Sequence, residues 1–367
     1  MLKPIRHSKW SPALAAGQIM MRTFALWLCD PNVKPAHINR ANLSKALGTQ
    51  IEGDWLWEFL KHDVARTPLL DRAVIVANLN DAEKCFLHLW VLRAGGVSTH
   101  FSLIPGAQPL PEGMPFQNNV AWGAFKVLME AFYSPGLRED GLPYDAKGKV
   151  TSDPSMQVTY KRFKRDFLLE HKIDKDVDAR EACVICGAEL CKSHIDHWVS
   201  KAKYPLLSVC ADNLIPMCDE CNESPNKGSD PVHTGGSFND WFHPYQRHPA
   251  GAFTLKLSSP LLGVDLKSTD PADEQRLKNL DELFNLKLRW SKELRAEYRK
   301  IQRLLERRQK GKPAALTLMQ VYTAINEWAQ DLSSAEPNHE VHKVLFDALM
   351  DPCRLVAWHA ELEANFP

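Results

Sequence analysis

The stretch "HIDHWVSKAKYPLLSVCADNLIPMCDECN", His194 to Asn222, decides how this chain is read. Just before it stands "CVIC", Cys183 to Cys186, and it closes around "CDEC", Cys218 to Cys221. Each Cys-x-x-Cys pair presents two thiolates to one side, and two such knuckles supply the four ligands of a tetrahedral ion. A site closed by four sulfurs leaves no position for substrate, so its task is structural. Cys183, Cys186, Cys218 and Cys221 are therefore expected to hold zinc. Cys191, in "CVICGAELC", competes as a ligand, but two knuckles of the same form favour the four paired cysteines. The gap between the knuckles exceeds the roughly 15–20 residues of a zinc ribbon, so a segment is looped out between them.

That segment has its own pattern. "KSHIDHW" alternates as a strand does, which sends the neighbours Asp196 and His197 to opposite faces. Both can act on one centre only where the strand twists or ends. "ADNLIPM" reads as the returning strand, with a long hairpin loop rich in Lys, Pro and Ser between the two. A helix or helical turn is expected to begin near Asn222. Taken singly, Asp196-His197 reads as a surface pair, Asn213 as a turn residue and Asn222 as a helix cap. Their order between two knuckles gives them a joint meaning.

In that order, "CVIC…HIDHWVSKAKYP…DNLIPMCDECN" resembles the HNH nuclease family, in its variant with a four-cysteine zinc site. The resemblance spans roughly residues 180 to 230 and implies the ββα-metal fold, a β-hairpin and a helix around one divalent ion. It implies that His197 is the general base, that Asp196 ligates Mg²⁺ or Mn²⁺, and that Asn213 braces the hairpin loop and so orients His197. Asn222 stands where the family's third letter falls, and its amide oxygen can ligate a hard ion. His194, two residues before Asp196, is expected to support the site from behind rather than ligate. Lys201 and Lys203 in the loop, and Lys227 after it, are the lysines expected to contact phosphates of nucleic acid. One departure stands out: where the family commonly continues "CNxxKG", this chain has "CNESPNKG", which displaces Lys227 by two residues and puts Pro225 at the start of the expected helix.

Composition sets the frame. The 367 residues suffice for two or three domains, and 44% hydrophobic residues can bury a sizeable core. The 45 basic and 45 acidic residues cancel, so total charge argues for no partner. Local charge does: Lys287 to Lys312 holds eleven Lys/Arg against three Asp/Glu. No apolar run approaches the roughly 20 residues of a membrane span, and the N-terminal stretch lacks the form of a signal peptide, so a cytoplasmic protein without membrane contact is expected.

The expected fold is α+β and mostly helical. An N-terminal mixed α/β region (1–140), of sensor or partner-binding role, leads through a linker and helix (141–179) to the nuclease unit with its zinc knuckles (180–269) and a helical C-terminal region (270–367). In the first region "RAVIVANL", residues 72–79, reads as a buried strand. "AFTLKLSSPLLGVDLKS", residues 252–268, reads as a strand pair, and the long helical pattern after Asp270 breaks near Phe284-Asn285. The expected function is a metal-dependent HNH endonuclease cutting DNA, with zinc as structural cofactor, Mg²⁺ or Mn²⁺ as catalytic cofactor, and a regulatory protein or a second copy as further partner. "WFHPY…RLKNLDELFNL" resembles, more weakly, bacterial HNH proteins of phage defence and restriction. The alternatives are a non-catalytic zinc module that binds nucleic acid or protein, and an RNase on the same scaffold.

Overall fold

A computed structural model of the chain describes residues 5–97, 100, 108–172, 180–190, 194–247, 249–258 and 262–365. Cys191 lies outside the described residues, as does the side chain of His194. Helices dominate, and the strands form three small antiparallel pairs. No helix among the described residues is long and apolar enough to cross a membrane.

The N-terminal helices are α1 (Ser11–Leu28), α2 (Arg40–Leu47), α3 (Gln50–Phe59), α4 (Leu69–Ala77), α5 (Asp81–Ala94) and α6 (Asn119–Glu130). Side-chain caps start most of them: Asn39, Thr49, Asn80 and Asn118 each accept a backbone N–H of the first turn. Helix α1 buries Leu14, Met21, Phe24 and Leu28 along one stripe. A Cβ at Gly17 would stand 2.5 Å from Leu142 Cδ1, so a side chain there would force Leu142 to shift. A two-residue pair, β1 (Asp63–Val64) with β2 (Thr67–Pro68), precedes α4.

The strand expected at 72–79 is instead part of α4. Its buried residues Leu69, Ala73, Val76 and Ala77 follow a helical spacing, while Val74 and Ile75 are half-buried. A short apolar run does not distinguish a strand from a buried helix by periodicity alone, and here tertiary packing overrides β propensity.

After α6 a π-helical segment, Phe132–Asp140, kinks at Ser134, and α7 (Tyr160–His171) follows. The hairpin pairs β3 (His194–His197) with β4 (Leu214–Met217) in register Asp196↔Ile215 and His197↔Leu214. Helix α8 (Asp219–Asn222) is one turn long. It begins inside the second knuckle and ends at Asn222, where the sequence led us to expect a start; Pro225 follows, after a cis peptide bond.

The strand pair expected at 252–268 is present as β5 (Phe253–Ser258) and β6 (Gly263–Ser268). Helices α9 (Glu274–Phe284) and α10 (Leu286–Gln309) are separated by Asn285 in the left-handed region, φ 49°, at the expected break. Helices α11 (Leu318–Asp331), α12 (His339–Leu349) and α13 (Pro352–Asn365) complete the C-terminal region. One buried apolar cluster links residues of all regions, from Ile5 to Trp358.

Candidate functional site

The four cysteines come together as their spacing requires. Cys183, Cys186, Cys218 and Cys221 are buried, and their sulfurs all lie within 4.8 Å of one another. The Cys186–Cys218 and Cys183–Cys221 sulfur pairs are 3.7 and 4.0 Å apart. A tetrahedron of sulfurs around zinc, with Zn–S bonds of about 2.3 Å, has edges of about 3.8 Å. The cluster can thus hold a structural metal such as zinc. A cation offsets its negative charge: Arg289 Nη1 donates to Cys221 Sγ at 3.2 Å while Nη2 donates to Glu220 at 2.8 Å. Trp290 Nε1 donates to the Cys186 carbonyl at 2.7 Å, so the first turn of α10 is fastened to both knuckles.

The hairpin loop between β3 and β4 is held from inside by Asn213, which is fully buried. Its Nδ2 donates to the Val199 carbonyl at 2.9 Å and the Leu207 carbonyl at 3.0 Å, and its Oδ1 accepts from the Val199 N–H at 2.6 Å. The loop so fixed presents the Ser208 carbonyl to His197 Nε2 at 2.8 Å. A carbonyl only accepts, so Nε2 carries the proton and Nδ1 keeps its lone pair. Burial pushes the imidazole below its ordinary pKa, despite Asp196 pulling the other way, and so favours the neutral ring.

Strand β3 ends at His197, and the alternation that would separate Asp196 from His197 ends with it. Asp196 Oδ1 stands 3.4 Å from His197 Nδ1. A carboxylate and an unprotonated ring nitrogen are both acceptors, so the group that satisfies both is a donor such as a water. Burial pushes the Asp196 carboxyl up, but the His197 ring, whenever it is protonated, and the Lys227 ammonium pull it down and leave the group below its ordinary range.

Lys227 is not on the surface, where a grip on phosphate would need it. It is 2% exposed, and its ammonium lies 3.8 Å from Asp196 Oδ2. Asn222 Oδ1 is buried and has no hydrogen-bond partner, an amide oxygen left over by the fold. Lys201 is half-buried in the loop, with its ammonium 4.4 Å from the centre of the Tyr133 ring. Lys203 is exposed and lines a cleft with Glu112, Trp122 and His233 that Asp196 and His197 do not line. Among the described residues the four cysteines are the only group of three or more His, Cys, Asp or Glu gathered closely enough for one ion. A hard cation at Asp196 would therefore rely on neutral oxygens besides that one carboxylate.

Sequence reasoning missed Tyr133. In "VAWGAFKVLMEAFY" it reads as the end of an amphipathic helix, and nothing in its spacing separates it from core aromatics. In the fold its hydroxyl donates to the Ile195 carbonyl at 2.9 Å, its ring meets that of His197 edge-on at 4.6 Å, and Lys201 stands over its face. The N-terminal helices reach the loop elsewhere too: the Ser208 hydroxyl donates to the Met129 carbonyl at 2.9 Å. Tyr133→Leu is expected to leave metal content unchanged and to lower any His197-dependent rate about tenfold or more, since it unpacks one side of the ring that must be oriented. Tyr133→Phe, which keeps the ring, is expected to lose less. Equal rates in wild type and Tyr133→Leu would remove Tyr133 from the site.

No family model, curated protein or solved structure matches this chain.

Proposed function

We propose that this chain is a metal-dependent HNH endonuclease that hydrolyses phosphodiester bonds in DNA, with His197 as general base. The observation that supports this most is the setting of His197: buried, with Nε2 2.8 Å from the Ser208 carbonyl and Nδ1 3.4 Å from Asp196 Oδ1, a geometry that suits a neutral ring with its proton on Nε2. A general base needs that arrangement, a fixed ring with one free lone pair beside a carboxylate. In this reading Nδ1 takes a proton from the attacking water, and Asp196 shares in holding that water or the imidazolium formed. Asn213 keeps the loop carbonyl of Ser208 in place so that the ring does not turn. Asp196 and Asn222 would hold Mg²⁺ or Mn²⁺, which supplies Lewis-acid stabilisation of charge on the phosphate and the leaving oxygen. Lys201, held over Tyr133 beside the site, would grip a flanking phosphate. The four cysteines hold zinc and take no part in the chemistry. A restriction or anti-phage role follows only from the weaker resemblance in the sequence.

One observation favours a second reading, a non-catalytic zinc module. Lys227 already supplies Asp196 with a cation inside the protein. Incubation of the purified chain with supercoiled plasmid and with structured RNA, each with and without Mn²⁺ or Mg²⁺, separates these readings and the RNase alternative. The expected result is nicking or linearisation of the plasmid that stops without the divalent ion. The rate is also expected to hold as pH falls toward 6.5, the ordinary histidine value, and to drop only below it, because burial lowers the pKa of His197 and the base stays unprotonated longer. An acid limb centred above 6.5 would count against His197 as the base.

A further inference from the structure

We infer that the outward face of α10 is a binding surface for the phosphate backbone of duplex DNA, rigidly coupled to the four-cysteine cluster. The inference deepens the nuclease reading and rests on it for the choice of nucleic acid. The buried residues of α10 are Leu286, Trp290, Ser291, Leu294, Glu297, Ile301 and Leu305. Lys292, Arg299, Arg303 and Arg307 are exposed, and each lies two residues from a member of that buried row. Two residues are about 200° of a helix with about 3.6 residues per turn, so these four form one stripe opposite the packed face.

The helix sorts its charges. Glu293 accepts from His342 at 2.8 Å, and Glu297, at 9% exposure, pairs with Lys300 at 2.9 Å. Lys287 pairs with Asp265, Arg289 with Glu220 and Arg308 with Glu327. The four stripe cations take part in no ion pair among the described residues, and Glu306 is the one exposed acid of this helix. A solubilising face would mix signs evenly; this outward face carries four unpaired cations against one acid, Glu306, on a chain whose net charge is zero.

The spacing suits a polyanion. At about 1.5 Å per residue the steps from Lys292 to Arg299, Arg303 and Arg307 are about 10, 6 and 6 Å. Duplex DNA offers a phosphate for about every 3.4 Å of axis on each strand, so each long side chain has one within reach. A membrane surface would require an apolar face beside the basic one, and the apolar face of α10 is spent on the core. The fastening of Arg289 and Trp290 to the knuckles makes the stripe a continuation of the cysteine lobe. Phosphates bound along it are thereby held at a fixed place relative to the hairpin.

The test measures affinity of the full chain for a labelled duplex of about 30 base pairs across about 50 to 200 mM salt, without added Mg²⁺ or Mn²⁺. The triple variant Arg299→Gln, Arg303→Gln, Arg307→Gln is expected to reduce the slope of log affinity against log salt by about 2 to 3, at about 0.9 for each phosphate no longer neutralised. Arg→Lys at the same three positions should restore most of that slope. Lys45→Gln, Lys147→Gln, Lys161→Gln, exposed lysines on other elements, should leave it unchanged. Helix content and metal stoichiometry report whether the variants fold. Equal slopes in wild type and the Gln variant would overturn the inference, as would a wild type that binds anionic vesicles or single-stranded RNA but no duplex. Plasmid cleavage is scored separately: a slope change without cleavage leaves the stripe and removes the nuclease, and cleavage with unchanged slopes does the reverse.

Discussion

His197→Ala is expected to reduce DNA cleavage by about 10²- to 10⁴-fold, the range of a lost general base. Alanine alone confounds two effects. His197 is 2% exposed, so its removal also opens a hole beside Tyr133 and leaves the Ser208 carbonyl unpaired, at a cost of about 1–3 kcal/mol. His197→Gln separates them. The glutamine amide can donate to Ser208 and fill most of the volume, yet it has no basic nitrogen. We expect His197→Gln to melt within a few degrees of wild type and still to lose about 10²-fold or more in rate. A glutamine variant that cleaves as fast as wild type would sink His197 as the base. A wild type that binds DNA without cutting, with or without divalent ions, would turn the reading toward the non-catalytic module.

The hairpin was legible in the sequence because its parts are local. Alternation gave β3, the Asn-Leu return gave β4, and paired cysteines announced their own cluster. The C-terminal helices were legible too, since long amphipathic periods dominate there, and Asn285 marked the break. Lys227 shows the limit. Its displacement by "ESPN" was visible, but whether it pointed out to phosphate or in to Asp196 depended on how one short turn packs. Tyr133 shows a second limit. It reaches His197 across 64 positions of chain, from 133 to 197, and no periodicity encodes such a meeting. The strand expected at 72–79 failed for a third reason: a run of Val, Ile and Ala is consistent with either element, and neighbouring helices decide.

That Tyr133 forms part of the wall around His197 alters the picture of the first region. Residues expected to sense or restrain at a distance lie against the hairpin and the loop that holds His197, through Tyr133, Met129 and Gln18, whose amide donates to the Leu206 carbonyl at 3.4 Å. The segment after α6 thus meets the His197 ring through Tyr133, while α1 and α6 reach the hairpin loop through Gln18 and Met129.

The second large effect is expected at the cluster that touches no substrate. Cys218→Ser should lose the bound metal, because one hard oxygen replaces one of four thiolates around a thiophilic ion. Structural zinc contributes about 10–16 kcal/mol in small zinc-finger peptides. Here the loss would fall on a local lobe of a larger core, so partial unfolding of that lobe is expected rather than collapse of the chain. Cys218 closes β4 and opens α8, and its backbone N–H donates to Cys183 Sγ at 3.4 Å. Its partner knuckle holds Trp290, near the start of α10, through the Cys186 carbonyl. Loss of the ion should therefore free the end of β4, the turn carrying Asn222 and the attachment of the basic helix together. We expect metal content near zero, a change in tryptophan fluorescence, increased proteolysis between the knuckles, and loss of cleavage. His197→Gln should lose cleavage with metal and melting preserved; Cys218→Ser should lose all three. A Cys218→Ser protein that retains its metal and its melting temperature would show that the four sulfurs, close as they stand, do not carry the fold.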